Sequence, residues 1–154
     1  RALFQYMNRE LARASRLQIE FSMVVMDLDD FKHINDTYGH HVGDTALRAA
    51  STVLRGAIRP YDMCVRYAGD EFVIVLTDCS RGQAESKRLE LEDAVRRIAL
   101  EPRPGDRLSL SISAGTAVFP HDGESYDALL DMADGRMYGD KRARKAAAAK
   151  AESA

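Results

Sequence analysis

The sequence predicts an α/β domain of the α+β kind, a mixed central sheet with helices packed around it. Three observations carry that expectation. Residues 21–26, FSMVVM, are nearly all apolar, as in a strand covered on both faces. In VRYAGDEFVIVL, residues 65–76, two apolar runs flank a short Gly-containing link, which is a hairpin signal. Amphipathic repeats at helical spacing fall before, between and after these runs, so the sheet must be packed by helices.

Each element follows from its local pattern. Leu3, Met7, Leu11 and Ala14 recur at helical spacing and predict a helix over residues 2–17. The apolar strand then ends in Asp27 and Asp29. A short helix follows through Phe31 to Tyr38 and stops at Gly39. Leu47, Ala50, Leu54 and Ile58 mark a second amphipathic helix, which ends near Pro60. Strands at 63–67 and 71–76 form the hairpin. Ser80 and Gln83 have capping-box spacing, and Leu91, Val95 and Ile98 carry that helix to about Leu100. Pro102, Pro104 and Gly105 break the chain. LSLSIS, residues 108–113, alternates strictly and predicts a strand with one buried face. Ser125 caps a last helical region through Leu129, Met132, Met137 and Tyr138. The charged helix from Glu85 to Arg97 reads as a solvated face.

Composition narrows the function. With 154 residues, 45% hydrophobic and 30% charged, the chain reads as one globular domain, 1–154. The net charge of −2, from 22 basic and 24 acidic residues, gives no general attraction to nucleic acid or to an anionic membrane. No apolar run has the length of a membrane span. Cys64 and Cys79 make no CxxC pattern and read as free thiols in a reducing, cytoplasmic setting. The chain opens at Arg1 inside a helical pattern, so we expect a domain cut from a longer protein whose other regions could anchor it to a membrane.

The chemistry lies in two acidic clusters, Asp27–Asp29–Asp30 and Asp70–Glu71, both at predicted strand ends. Crowded carboxylates favour protonation unless a cation intervenes. A hard divalent ion such as Mg²⁺ accepts one or two carboxylates, a backbone carbonyl and substrate phosphates. Lys32, Lys141 and Lys145 are candidates to neutralise a phosphate tail. Asp-rich turns also cap helices, so the first cluster alone leaves that alternative open. The second cluster, at the tip of a hairpin between hydrophobic strands, favours the cation.

DLDDFKHINDTYGHHVGDTAL, followed after a helix-length gap by RYAGDEF, resembles the GGDEF domains, the diguanylate cyclases. The resemblance covers about residues 2–145 and implies a fold like that of nucleotide-cyclase and polymerase palm domains. It implies an enzyme, a GTP-dependent nucleotidyltransferase that joins two GTP into cyclic di-GMP and two pyrophosphates across a homodimer. By the same resemblance Asp27, Asp70 and the Leu28 carbonyl ligate metal, with two Mg²⁺ per site and Mn²⁺ able to substitute. Glu71 supports metal or phosphate contacts, and Lys32 neutralises charge beside Phe31 in the phosphate region. Asn35 and Asp44 read guanine. Gly69 admits the nucleotide close to the backbone, and Lys141 and Lys145 hold the β- and γ-phosphates. Arg59 and Asp62, in RPYD, fall at the offset of the family's product-inhibition site, where cyclic di-GMP is the inhibitor; a turn closed by a surface ion pair is the plainer reading.

Three departures from the family pattern stand out: Ala68 replaces the first hairpin Gly, Lys145 replaces an Arg, and Arg144 stands where a Gly is usual. Two further functions stay open. One is a catalytically weak domain that senses GTP or cyclic di-GMP, and the other is an unrelated metal-dependent phosphohydrolase.

Overall fold

The structure is a computed structural model, which describes residues 2–153. In chain order the elements are α1 (Ala2–Leu17), β1 (Phe21–Leu28), α2 (Phe31–Tyr38), α3 (His40–Gly56), β2 (Met63–Ala68), β3 (Glu71–Leu76), α4 (Arg81–Arg96), β4 (Ala99–Leu100), β5 (Leu108–Ser109), β6 (Ile112–Phe119) and α5 (Tyr126–Ser153). Four strands form one sheet in the order β2-β3-β1-β6, and β4 pairs with β5 in a separate ribbon.

Every adjacent pair in the main sheet is antiparallel. The helical crossover from β1 does return β2 in the same direction, as a mixed sheet needs. The hairpin strand β3 then inserts between them, so no parallel pair forms among the described residues. Helices cover both faces, and the fold is palm-like.

All eight residues of β1 are buried, and the period-2 alternation divides them between two cores. Val24, Met26 and Leu28 face a core with Phe72, Ile74, Leu76, Leu47, Leu54, Leu91 and Val95, so α3 and α4 cover that side. Met23 and Val25 face Val73, Val75, Leu3, Met7, Leu129 and Met137, so α1 and α5 cover the other. Each fully buried side chain of this size contributes about 1.5–3 kcal/mol.

The predicted strand at 108–113 is divided. Leu108 and Ser109 pair with Leu100 and Ala99, while Ile112 begins an eight-residue central strand, β6, buried throughout. That strand lies directly under α5. A Cβ built on Gly115 would sit 2.2 Å from the Ala133 carbonyl oxygen and 2.3 Å from the Met137 nitrogen. No helix among the described residues is long and apolar enough to cross a membrane.

The charged face of α4 is less solvated than its sequence suggests. Glu92 is only 4% exposed, because cations from α4 and α5 close over it.

Candidate active site

The β1 register brings the two acidic clusters to one rim. Asp27 lies opposite Glu71 of β3 on one side and Ser113 of β6 on the other. The Leu28 N–H donates to the Asp70 carbonyl oxygen at 3.2 Å, tying the hairpin tip to the end of β1. The two-residue link is Gly69–Asp70, since Ala68 already pairs with Glu71. Its left-handed backbone falls on Gly69 (φ 48°), which has no Cβ to clash there. Ala68 is thus the last strand residue, and replacing the usual Gly there introduces no positive φ. A bulge at Tyr67 sets the tip's register.

Asp27 is 8% exposed, and its Oδ1 is buried without a well-aligned hydrogen bond. The Lys141 Nζ, on α5, lies 3.1 Å from that oxygen. Burial and the neighbouring Asp70 push the Asp27 carboxyl up to about 7 against the pull of Lys141. Burial also raises Glu71, helped by Asp134 and Asp70. Lys141 is pulled both ways: burial works against its charged form, but the Asp27 carboxylate prevails and raises it. Among the described residues, no three His, Cys, Asp or Glu side chains converge as a ligand set. What the rim offers is a carboxylate pair beside a backbone carbonyl, a donor set suited to a hard ion that also binds phosphate.

Below the rim lies a cleft of about 420 Å³ lined by Leu28, Phe31, Lys32, Asp70, Lys141 and Lys145 among others. Six of the residues expected from the sequence therefore share one wall, within the size range of small-molecule sites. Lys32 is 90% exposed and is paired with Asp36 at 2.8 Å, which raises its pKa. Asn35 is half-buried on α2, with its Oδ1 buried and unpartnered against Gly43. A Cβ at Gly43 would overlap that oxygen at 1.9 Å, so a side chain there would displace the Asn35 amide from its present position. Asp44, the next residue, is exposed on α3.

Asp29 and Asp30 do not join Asp27. The Ser111 and Ser113 hydroxyls donate to Asp29 at 2.7 and 2.6 Å, bracing β1 to the start of β6. Asp30 occupies the N-cap of α2 in a left-handed conformation but makes no side-chain cap bond. Helix capping therefore does not account for the cluster.

The Arg59–Asp62 turn lies at another edge of the sheet. Asp62 accepts from the Arg59 backbone N–H at 3.0 Å, from its Nε at 3.0 Å and Nη2 at 3.1 Å, and from the Thr77 N–H at 3.1 Å. Arg59 also donates to the Thr77 carbonyl oxygen and stacks over Tyr61 at 4.8 Å. The ion pair is real, but its acid is 1% exposed and so is not a surface group. Arg59, Asp62, Cys79 and Lys87 line a second hollow of about 210 Å³.

A family model described as "Diguanylate cyclase, GGDEF domain" matches residues 1–147. The chain belongs to the GGDEF domain family. Diguanylate cyclase DosC of Escherichia coli (strain K12) is 37% identical over 134 residues, which are 87% of this chain and 29% of DosC. Diguanylate cyclase DgcP of Pseudomonas aeruginosa is 36% identical over 144 residues, covering 92% of this chain and 21% of DgcP. The GGDEF domain thus spans under a third of these relatives' length. Among solved structures, the GGDEF domain of PA1120 (YfiN or TpbB) from Pseudomonas aeruginosa superposes with a TM-score of 0.86 at 32% identity, covering 92% of this chain and 89% of that one. The GGDEF domain of DgcB from Caulobacter crescentus, in complex with c-di-GMP, gives 0.84 at 26% identity, covering 92% and 84%.

Sequence reasoning missed three features of this GGDEF domain. They are the Ser111–Asp29–Ser113 brace, the approach of Asp134 to Glu71, and the burial of Glu92. Each joins residues far apart in the chain, and none has a local signal.

Proposed function

We propose that this domain condenses two GTP into cyclic di-GMP, releasing two pyrophosphates, with one nucleotide held by each member of a two-fold homodimer. One observation above all supports the reading: Asp27 and Asp70 meet at the rim that Lys141 also reaches, over a cleft of nucleotide size. Asp27, Asp70 and the Leu28 carbonyl would hold Mg²⁺, two ions per site, or Mn²⁺ in its place. The orphaned Asp27 Oδ1 and the raised Asp27 pKa are what such a cation would satisfy. When bound, the metal lowers the pKa of the attacking hydroxyl and offsets charge on the phosphates.

The chain's own residues supply recognition and orientation. The Asn35 Oδ1 is an unpartnered acceptor, buried against Gly43, that would take a guanine N–H once the side chain turns outward. The Asp44 carboxylate accepts from N1–H and the 2-amino group, a pair that adenine does not present. Lys141 and Lys145 neutralise the triphosphate from α5, Lys32 does so from α2, and Phe31 walls the phosphate region. Gly69 keeps the hairpin backbone open to the nucleotide, and Glu71 supports the phosphate contacts beside Asp70. In turnover the 3′-oxygen of one nucleotide bonds to the α-phosphorus of the other as the bond to pyrophosphate breaks, so neither protomer completes the reaction alone. We also place the domain in the cytoplasm, as one module of a longer protein.

A second reading, a domain that binds GTP or cyclic di-GMP without turnover, draws on one observation. The Lys141 ammonium already sits on the Asp27 oxygen that a metal would take. Incubating concentrated protein with GTP and Mg²⁺ separates the readings. Cyclic di-GMP and pyrophosphate support the cyclase, tight product binding without synthesis supports the sensor, and GDP with phosphate indicates a hydrolase. Product inhibition at Arg59 and Asp62 would require cyclic di-GMP to draw Arg59 away from Asp62 and Thr77. Arg59→Ala should then relieve inhibition without lowering the initial rate, and unchanged inhibition assigns the motif to structure.

A further inference from the structure

The helix α5 carries two sets of residues, largely charged, that are one position out of step. Arg136, Asp140 and Arg144 repeat at i, i+4, i+8, and Met137, Lys141 and Lys145 repeat one residue later. A shift of one residue turns the side chain by about 100° around a helix. The two stripes therefore make different contacts, although Arg144 also borders the hollow that Lys141 and Lys145 line.

The first stripe is fully engaged with the protein. Arg136 donates to the Thr116 carbonyl oxygen at 2.8 Å and to both Asp122 oxygens. Asp140 accepts from the Ala114 N–H of β6 at 3.1 Å and from the Arg144 Nε at 3.2 Å. The Arg144 Nη2 reaches across to Glu92 of α4, which Arg88 also holds. The second stripe buries Met137, brings Lys141 to Asp27 and opens Lys145 to the cleft.

Glu92 is the point where this arrangement is anchored. Arg88, one turn earlier on the same helix, holds Glu92 but shares its guanidinium with Glu85 at 2.8 Å, so Arg144 is the cation that reaches Glu92 from another helix. The second cation adds a strut from α4 to the turn of α5 between Lys141 and Lys145. We infer that Glu92 is a positioning residue: through Arg144 it fixes the rotation of α5 and so aims Lys141 and Lys145 at an incoming triphosphate, an inference that rests on the cyclase reading above.

The test compares the wild-type domain with Glu92→Gln and with Arg144→Met, which keeps the Glu92–Arg88 pair. The probes are inorganic tripolyphosphate and GTP, titrated calorimetrically without divalent metal, and guanosine, followed by ligand-observed NMR. The expected result is a loss of about fivefold to tenfold in tripolyphosphate and GTP affinity in both variants, the size of one weakened rather than abolished charged contact. Guanosine affinity should stay at the wild-type value, and Arg144→Lys should recover part of the loss. A merely structural role would weaken guanosine in parallel, and that outcome overturns the inference. So does wild-type tripolyphosphate affinity in folded Arg144→Met, which stays decisive even if Glu92→Gln does not fold. If the wild-type domain binds neither tripolyphosphate nor GTP, the cyclase reading falls and the inference with it. If it binds both and only the variants behave otherwise than expected, the cyclase reading stands alone.

Discussion

Asp27 and Asp62 are both aspartates held almost out of solvent at strand ends of the same sheet, and each has a basic neighbour. Around Asp62 every nearby donor is used: the Arg59 backbone and guanidinium, and the Thr77 N–H. Around Asp27 one buried oxygen has only a poorly aligned ammonium, with a second carboxylate close by. The first arrangement is complete in itself. The second is costly as it stands and gains when a cation arrives. Burial alone therefore does not tell these two acids apart, whereas the count of unused acceptors does.

The comparison can be broken most directly at Asp70. Replacing it by Ala removes half of the carboxylate pair. We expect a loss on the order of a thousandfold in cyclic di-GMP formation, with an unchanged circular dichroism spectrum; retained turnover would take Asp70 out of the reaction.

The next largest effect contrasts stabilities. Asp62→Asn strips a buried acid from its donors and should cost about 2–3 kcal/mol in urea unfolding. Asp27→Asn removes a buried charge that Lys141 offsets only in part against burial and Asp70, so in metal-free buffer at pH 8 it should cost clearly less in urea unfolding than Asp62→Asn. Equal losses at the two positions would erase the distinction drawn above.

A pH titration sharpens the same point. The folded Asp27 carboxyl titrates near 7, above its ordinary value of 3.8. The folded state thus holds the proton more tightly than the unfolded chain does. The associated stability is full below about pH 4 and is lost as pH rises through about 7. Mg²⁺ binds the ionised form, so it should raise the melting temperature at pH 8 far more than at pH 5. An equal rise at both pH values would exclude Asp27 as the site of the effect. Asp122 supplies the opposite limb, because Arg136, Arg81 and the Val118 N–H hold its carboxyl below the usual range. Its stabilisation is present above about pH 4 and declines as pH falls further, and Asp122→Asn should flatten that acid limb.

The smallest effect belongs to base specificity at the exposed Asp44 of α3. Asp44→Asn should narrow the preference for GTP over ATP by about tenfold in competition binding, with no change in melting temperature.

Much of this was legible in the sequence, and the exceptions share a cause. The β1 run and the hairpin were readable because a strand buried on both faces must be continuously apolar. The α1 pattern was readable because one helical face repeats at fixed spacing. The last six residues of β6, AGTAVF, escaped because Ala, Gly and Thr give neither an apolar run nor an alternation. Its burial comes from the close approach of α5. At the site, the rim of Asp27 and Asp70 followed from two motifs. The satisfaction of Asp29 by Ser111 and Ser113, and of Glu92 by Arg144, arises only when distant segments meet.

Gly115 sits where β6 and α5 touch backbone to backbone, with no side chain as a cushion. Such a contact cannot be compressed, so a single added methyl group would act like a wedge under a plank. The far end of the plank carries Lys141, and the ammonium would swing away from its carboxylate although nothing at the rim itself had been altered.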